Sequence, residues 1–190
     1  MKLGQTFYAR NRREWRRWLS QHHRTAAEIW LIYYKKRSGK PRIPYNHAVE
    51  EALCYGWIDS ILKPVDAASY AQRFSPRRPT SNLSAMNRER VRRLIAAGKM
   101  TKAGLASIAH AFDHRKDTKP RMPAEIPRDI LTRLERDPTT WKNFQRFPAS
   151  YKRIRIGWIV GARHRPPVME QRLRYFLKMT AQNKRFGMVQ

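Results

Sequence analysis

The chain contains a single cysteine, Cys54, among 190 residues. One thiol closes no intramolecular disulfide, and without a Cys-x-x-Cys pair there is no spacing for a structural zinc site. Acidic residues are also scarce: 14 Asp+Glu stand against 41 Lys+Arg, for a formal net charge of +27. Long apolar runs are missing. The longest strongly apolar stretch, Ile29–Tyr34, is far too short to cross a bilayer, so no transmembrane segment is expected. The opening MKLGQTFYARNRREW holds no apolar leader core, and a cytoplasmic location is the expectation. No GxGxxG, GxxxxGK[ST] or GxSxG pattern occurs, so no dinucleotide, P-loop or nucleophile-elbow chemistry is expected, and no cofactor.

What is abundant is arginine, with 28 of the 41 basic residues. Residues 1–60 carry 12 basic and 5 acidic residues (+7), 61–120 carry 13 and 4 (+9), and 121–190 carry 16 and 5 (+11). The excess is therefore no detachable basic tail. Such a field attracts polyanions over about a Debye length, roughly 8–10 Å at working salt. It is equally compatible with a basic surface that has no dedicated partner. Six Trp, eight Tyr and seven Phe at regular spacings argue against a disordered polyelectrolyte.

The patterning predicts an α+β fold: a β-hairpin and strand region packed by helices, then a helical C-terminal region. Trp15, Trp18, Leu19 and His22 line one face of a helix over 12–22. EIWLIYYKK (28–36) reads as a strand. Pro44 opens a helix that Gly56 stops. Residues 57–62 and 69–74 form a hairpin. Ser84 caps a helix over 85–97, and Thr101 caps the next. Four helices follow, over roughly 127–136, 138–146, 149–162 and 166–180, each opening near a proline. The expected organisation is an α+β core over 1–115, a linker over 116–126, and a helical region over 127–182 packed on that core.

EEALCYGWIDS (50–60) and RFSPRRPTSNLSAMNRERVRRLIAAGKMTKAG (73–104) resemble the YdeI/OmdA family, labelled bacteriocin protection or OmpD-associated. So does PRDILTRLERDPTTWKNFQRFPASYKRIRIGWIVGAR with QRLRYFLKM near the C-terminal end. The resemblance spans nearly the whole chain. It implies the same fold class and a stress- or bacteriocin-protection-associated role, with no agreed catalytic residues to carry over. Leu83 stands where such proteins tend to have tryptophan, and RHRPPVME (163–170) replaces the usual link between the last two helices.

The densest polar cluster is the segment from Arg73 to Asn87. Arginine forks bind phosphate or carboxylate in bidentate fashion, and helix N-termini favour anions. Trp57, Asp59, Arg73, Arg77, Ser81, Asn82, Ser84 and Asn87 are accordingly the expected ligand-binding residues, for a small anion or a phosphate-containing ligand. The alternative is ordinary capping by Ser84 or Asn82, with the arginines solvated or paired to Asp59 and Glu89. Asp59 is expected to pair with Arg73 across the hairpin. It could also serve as a general base, in an enzyme using Asp59 with Arg73 and Arg77. Cys54 lies near a helix C-terminus beside Glu50 and Glu51, where a reactive thiolate is disfavoured. His110 and His114 have i, i+4 spacing near Asp113 and Asp117, but no third ligand is fixed, and no metal is expected. Arg88, Arg90, Arg92 and Arg93, with Lys152, Arg153 and Arg155, allow weak, sequence-blind nucleic-acid binding.

Overall fold

The computed structural model of the chain describes residues 3–113 and 126–187. These divide into two compact units. The first holds the residues up to Leu83 and those from Arg90 to 113; the second holds Ser84–Glu89 and the residues from 126 onward. The expected linker over 116–126 lies, but for Ile126, outside the described residues.

The first unit is a four-stranded sheet with helices. The strands are β1 (Thr6–Tyr8), β2 (Ile29–Tyr34), β3 (Trp57–Pro64) and β4 (Ser69–Pro76), ordered β1-β2-β4-β3. β1 runs parallel to β2, and β2–β4 and β3–β4 are antiparallel. The parallel pair needs a crossover, which α1 (Arg12–His22) supplies. Asn11 caps α1, accepting from the Glu14 amide. Its apolar stripe, Trp15, Trp18 and Leu19, packs on Ile29, Leu31 and Tyr33 of β2 and Phe74 of β4 in one buried cluster. Trp15 and Trp18 stack at 5.3 Å.

α2 (Tyr45–Cys54) begins after Pro44 and contributes Ala48, Val49, Ala52 and Leu53 to the same core. It also buries Glu51, 1% exposed, which α1 holds through Arg12 and Arg16, the latter at 2.6 Å. α3 (Ala85–Ala96) and α4 (Lys102–Ile108) follow. Thr101 caps α4, and its hydroxyl and amide donate to the Cys54 carbonyl at 2.6 and 3.1 Å, fastening α4 to the end of α2. Gly104 permits this approach, because a Cβ there would lie 2.2 Å from the same carbonyl oxygen.

The second unit contains α5 (Arg128–Glu135), α6 (Pro138–Arg146), α7 (Ala149–Val160) and α8 (Pro166–Ala181). Prolines at 127, 138, 148 and 166 fall at or beside the helix starts, where the missing N–H costs nothing. Ile130, Leu134, Phe144, Tyr151, Ile156, Ile159, Leu173 and Phe176 form its separate core. Among the described residues no helix is long and apolar enough to cross a membrane.

Candidate functional site

The β3–β4 register decides where the candidate residues point. Asp59 pairs with Phe74, a core residue, so Asp59 lies on the helix-packed face. Arg73 is one residue away and lies on the opposite face, paired with Trp30 of β2. The expected Asp59–Arg73 ion pair is therefore absent. Arg73 instead binds Glu28, with nitrogen–oxygen distances of 2.6 and 2.7 Å, and reaches the Ser60 hydroxyl at 3.4 Å. Its hydrogen bond holds the Glu28 carboxyl below the usual carboxylate range. Lys63 lies 4.9 Å from the Trp30 ring on this same face.

On the other face, Asp59 accepts a hydrogen bond from the Tyr45 hydroxyl. Burial first, and this bond second, push the Tyr45 phenol up, so it donates as a neutral hydroxyl at ordinary pH. Around this pair lie Arg90, which donates to Asn46 at 2.7 Å, and Arg42, which donates to the Tyr70 hydroxyl at 3.0 Å. Tyr70 stacks on Tyr33 at 5.3 Å, and the buried Tyr33 hydroxyl has no hydrogen-bond partner among the described residues. The sequence alone does not show this cluster, because its members come from β2, α2, β3, β4 and α3, with Arg42 just ahead of α2. In one dimension Asp59 read as a candidate base and Arg90 as one of a run of helix arginines suited to phosphates.

Arg77 leaves β4 and turns inward. Its amide donates to the Gly56 carbonyl at 2.9 Å, and its Nη2 reaches the Ser81 and Asn82 carbonyls at 3.3 and 3.0 Å. His110 lies 2.9 Å from the same Ser81 carbonyl through Nε2. Within the turn, the Ser81 amide and hydroxyl donate to the Arg78 carbonyl at 3.0 and 2.8 Å. The loop thus directs its carbonyls, rather than its amides, toward Arg77. Arg77 is 8% exposed, its Nε is buried without a partner among the described residues, and desolvation lowers its pKa. Neither acid expected to pair with the loop arginines does so: Asp59 takes Tyr45, and Glu89 takes Arg153 at 3.2 Å within the second unit.

Trp57 is buried, and its indole N–H donates to the His23 carbonyl at 3.1 Å, a packing role. Ser84 accepts from the Asn87 amide at 3.2 Å, as a cap does. Both of these residues belong to the second unit. The geometry therefore brings Arg77, Ser81 and Asn82 together, and separates Asp59 from Arg73. Cys54 is buried, and desolvation first, then Glu51, push its thiol up to about 11. No His, Cys, Asp and Glu group suited to a metal occurs among the described residues. His114 and Asp117 lie outside them.

An α+β sheet unit followed by a helical unit is the class of protein these observations define. The chain belongs to the family described as Domain of unknown function (DUF8412), whose model matches residues 7–107, slightly over half the chain. A second family model, described as Bacteriocin-protection, YdeI or OmpD-Associated, matches residues 123–183. GWID and RFSPRRPTSN lie inside the first match, and the C-terminal segment that resembles the YdeI/OmdA family lies inside the second. No curated protein and no solved structure matches the chain.

Proposed function

We propose that this protein binds a small anion, phosphate-containing or carboxylate, at the loop that Arg77 braces, without transforming it. The role is stress- or bacteriocin-protection-associated, as the label of the family matched by residues 123–183 suggests. One observation carries the reading. The Arg77 guanidinium is withdrawn from water and, among the described residues, has no carboxylate bonded to it, its charge answered by two carbonyl dipoles. A desolvated cation in that state costs several kcal/mol, and an anion seated beside it would offset that cost. The neighbouring Arg78 is exposed and could close over the anion from the solvent side.

The test is a thermal-shift titration with inorganic phosphate, citrate and ATP. The wild type should gain stability in a saturable manner with at least one of them. Arg78→Ala, an exposed change, should weaken the effect, and Arg77→Gln should abolish it. Equal shifts in all three proteins would remove the loop from consideration.

A second reading, sequence-blind nucleic-acid binding, is favoured by the +27 charge and its even spread along the sequence. It predicts binding whose log K falls linearly with log salt, by roughly 0.9 per phosphate neutralised on duplex DNA. No binding to RNA or DNA at low salt would remove it.

A further inference from the structure

The second unit contains a cavity of about 590 Å³, lined by Arg155 and Trp158 of α7, Val168, Gln171, Arg172 and Tyr175 of α8, and Phe186 beyond it. Its volume falls in the range of small-molecule sites, roughly 300–1,000 Å³. Two features mark it out from a packing defect.

The first is Arg155. It is 5% exposed, has no hydrogen bond or ion pair among the described residues, and buries Nε and Nη2 without partners. Buried guanidinium groups ordinarily sit in a fork with a carboxylate or with carbonyls. Here the surroundings are ring faces: Phe186 at 4.4 Å, Tyr151 at 5.4 Å and Trp158 at 5.8 Å from Cζ. Cation–π contacts answer part of the charge but none of the N–H donors. The second feature is the rest of the lining. Arg172 lies 4.8 Å from the Trp158 ring, so a second guanidinium faces the same cavity. Among the described residues no acidic side chain lines it. The closest acid along α8, Glu170, is engaged by Arg133 at 2.7 Å and Arg174 at 3.5 Å. Tyr175 is 46% exposed, an aromatic ring left open at the cavity and 4.7 Å from Phe186.

We propose that this cavity is a binding site for a small aromatic acid. The flat ring would lie among Trp158, Tyr175 and Phe186, and the anionic oxygens would take the donors of Arg155 and Arg172. Ring stacking supplies the apolar part of the affinity, and the charge-assisted hydrogen bonds supply orientation. The site is distinct from the Arg77 loop and lies wholly within the unit of α5–α8.

The experiment is a titration of the whole chain with 2-naphthoate, followed by tryptophan fluorescence and by calorimetry. Inorganic phosphate serves as the anion without a ring, and 2-naphthalenemethanol as the ring without a charge. Naphthoate should bind saturably with 1:1 stoichiometry, and each control should bind at least about tenfold more weakly, the loss expected for one charge-assisted contact. Arg155→Met retains the volume and removes the donors, and should weaken binding about tenfold or more. Arg172→Gln and Tyr175→Ala, both at partly exposed positions, should do so without unfolding the unit. Absence of naphthoate binding overturns the proposal. So does equal affinity in Arg172→Gln and Tyr175→Ala, or phosphate competing at equal strength. The anion test at the Arg77 loop uses phosphate, citrate and ATP, so failure of one site is distinguishable from failure of the other.

Discussion

Glu51 and Cys54 are neighbours on α2 and illustrate how burial acts on single side chains. Glu51 is almost fully buried, and two partly exposed arginines from α1 satisfy it. Removing the carboxylate takes away the buried partner that both guanidinium groups share, while Arg12 keeps Glu50 at 3.0 Å and Arg16 keeps the Lys99 carbonyl at 3.1 Å. Glu51→Ala should therefore cost about 3 kcal/mol, the low end for a broken buried pair because the arginines keep some solvent; urea denaturation measures it. Cys54 has the opposite problem, a thiol with a raised pKa. Its folded value of about 11 exceeds the ordinary 9, so folding favours the protonated form. The stability this gives is complete below pH 9 and is lost as pH rises toward 11. A thiol reagent at pH 8 should label native Cys54 far more slowly than the unfolded chain, and equal rates would show the thiol to be accessible. The inert character of Cys54 was readable from its place near a helix end beside two glutamates. The partner of Asp59 was not. A hairpin register offset by one residue exchanges the faces of the sheet, and β3 carries an irregularity between Asp59 and Leu62.

At the scale of elements, the helices were legible because their signals are local. The 3.6-residue apolar stripe of α1, the prolines that start α5–α8 and the threonine that caps α4 all lie within one turn of the boundary they set. β1 was missed. Thr6–Tyr8 has no alternation of its own and becomes a strand by pairing in parallel with Trp30, Leu31 and Ile32, more than twenty residues away. The long-range fit of α4 against α2 was likewise invisible. Gly104 looks like a weak helix residue, yet its hydrogen is all that fits against the Cys54 carbonyl. Gly104→Ala, helix-favouring by propensity, should destabilise the fold by about 1–3 kcal/mol, the usual cost of overpacking. A higher Tm in this variant would show that α4 moves away freely.

For the whole molecule, the charge of +27 is a background on which any specific site must stand out. Non-specific anion attraction decays within a Debye length, about 8 Å at physiological salt, whereas a desolvated contact is screened much less. Raising salt from 50 to 300 mM should therefore strip polyanion binding almost completely. It should weaken a small anion held at Arg77 by only a few-fold, as calorimetry at the two salt concentrations would register. The candidate site was half legible in the sequence: its arginine-rich loop was evident, but not that the loop's carbonyls would brace Arg77. The most direct measurement on the central claim is a nitrogen–proton spectrum of the arginine Nε–H groups during a phosphate titration at 0.3 M salt. The Arg77 resonance should shift and saturate, while exposed arginines such as Arg10 drift weakly and linearly. An Arg77 signal that stays fixed, or drifts with the rest, would contradict the account.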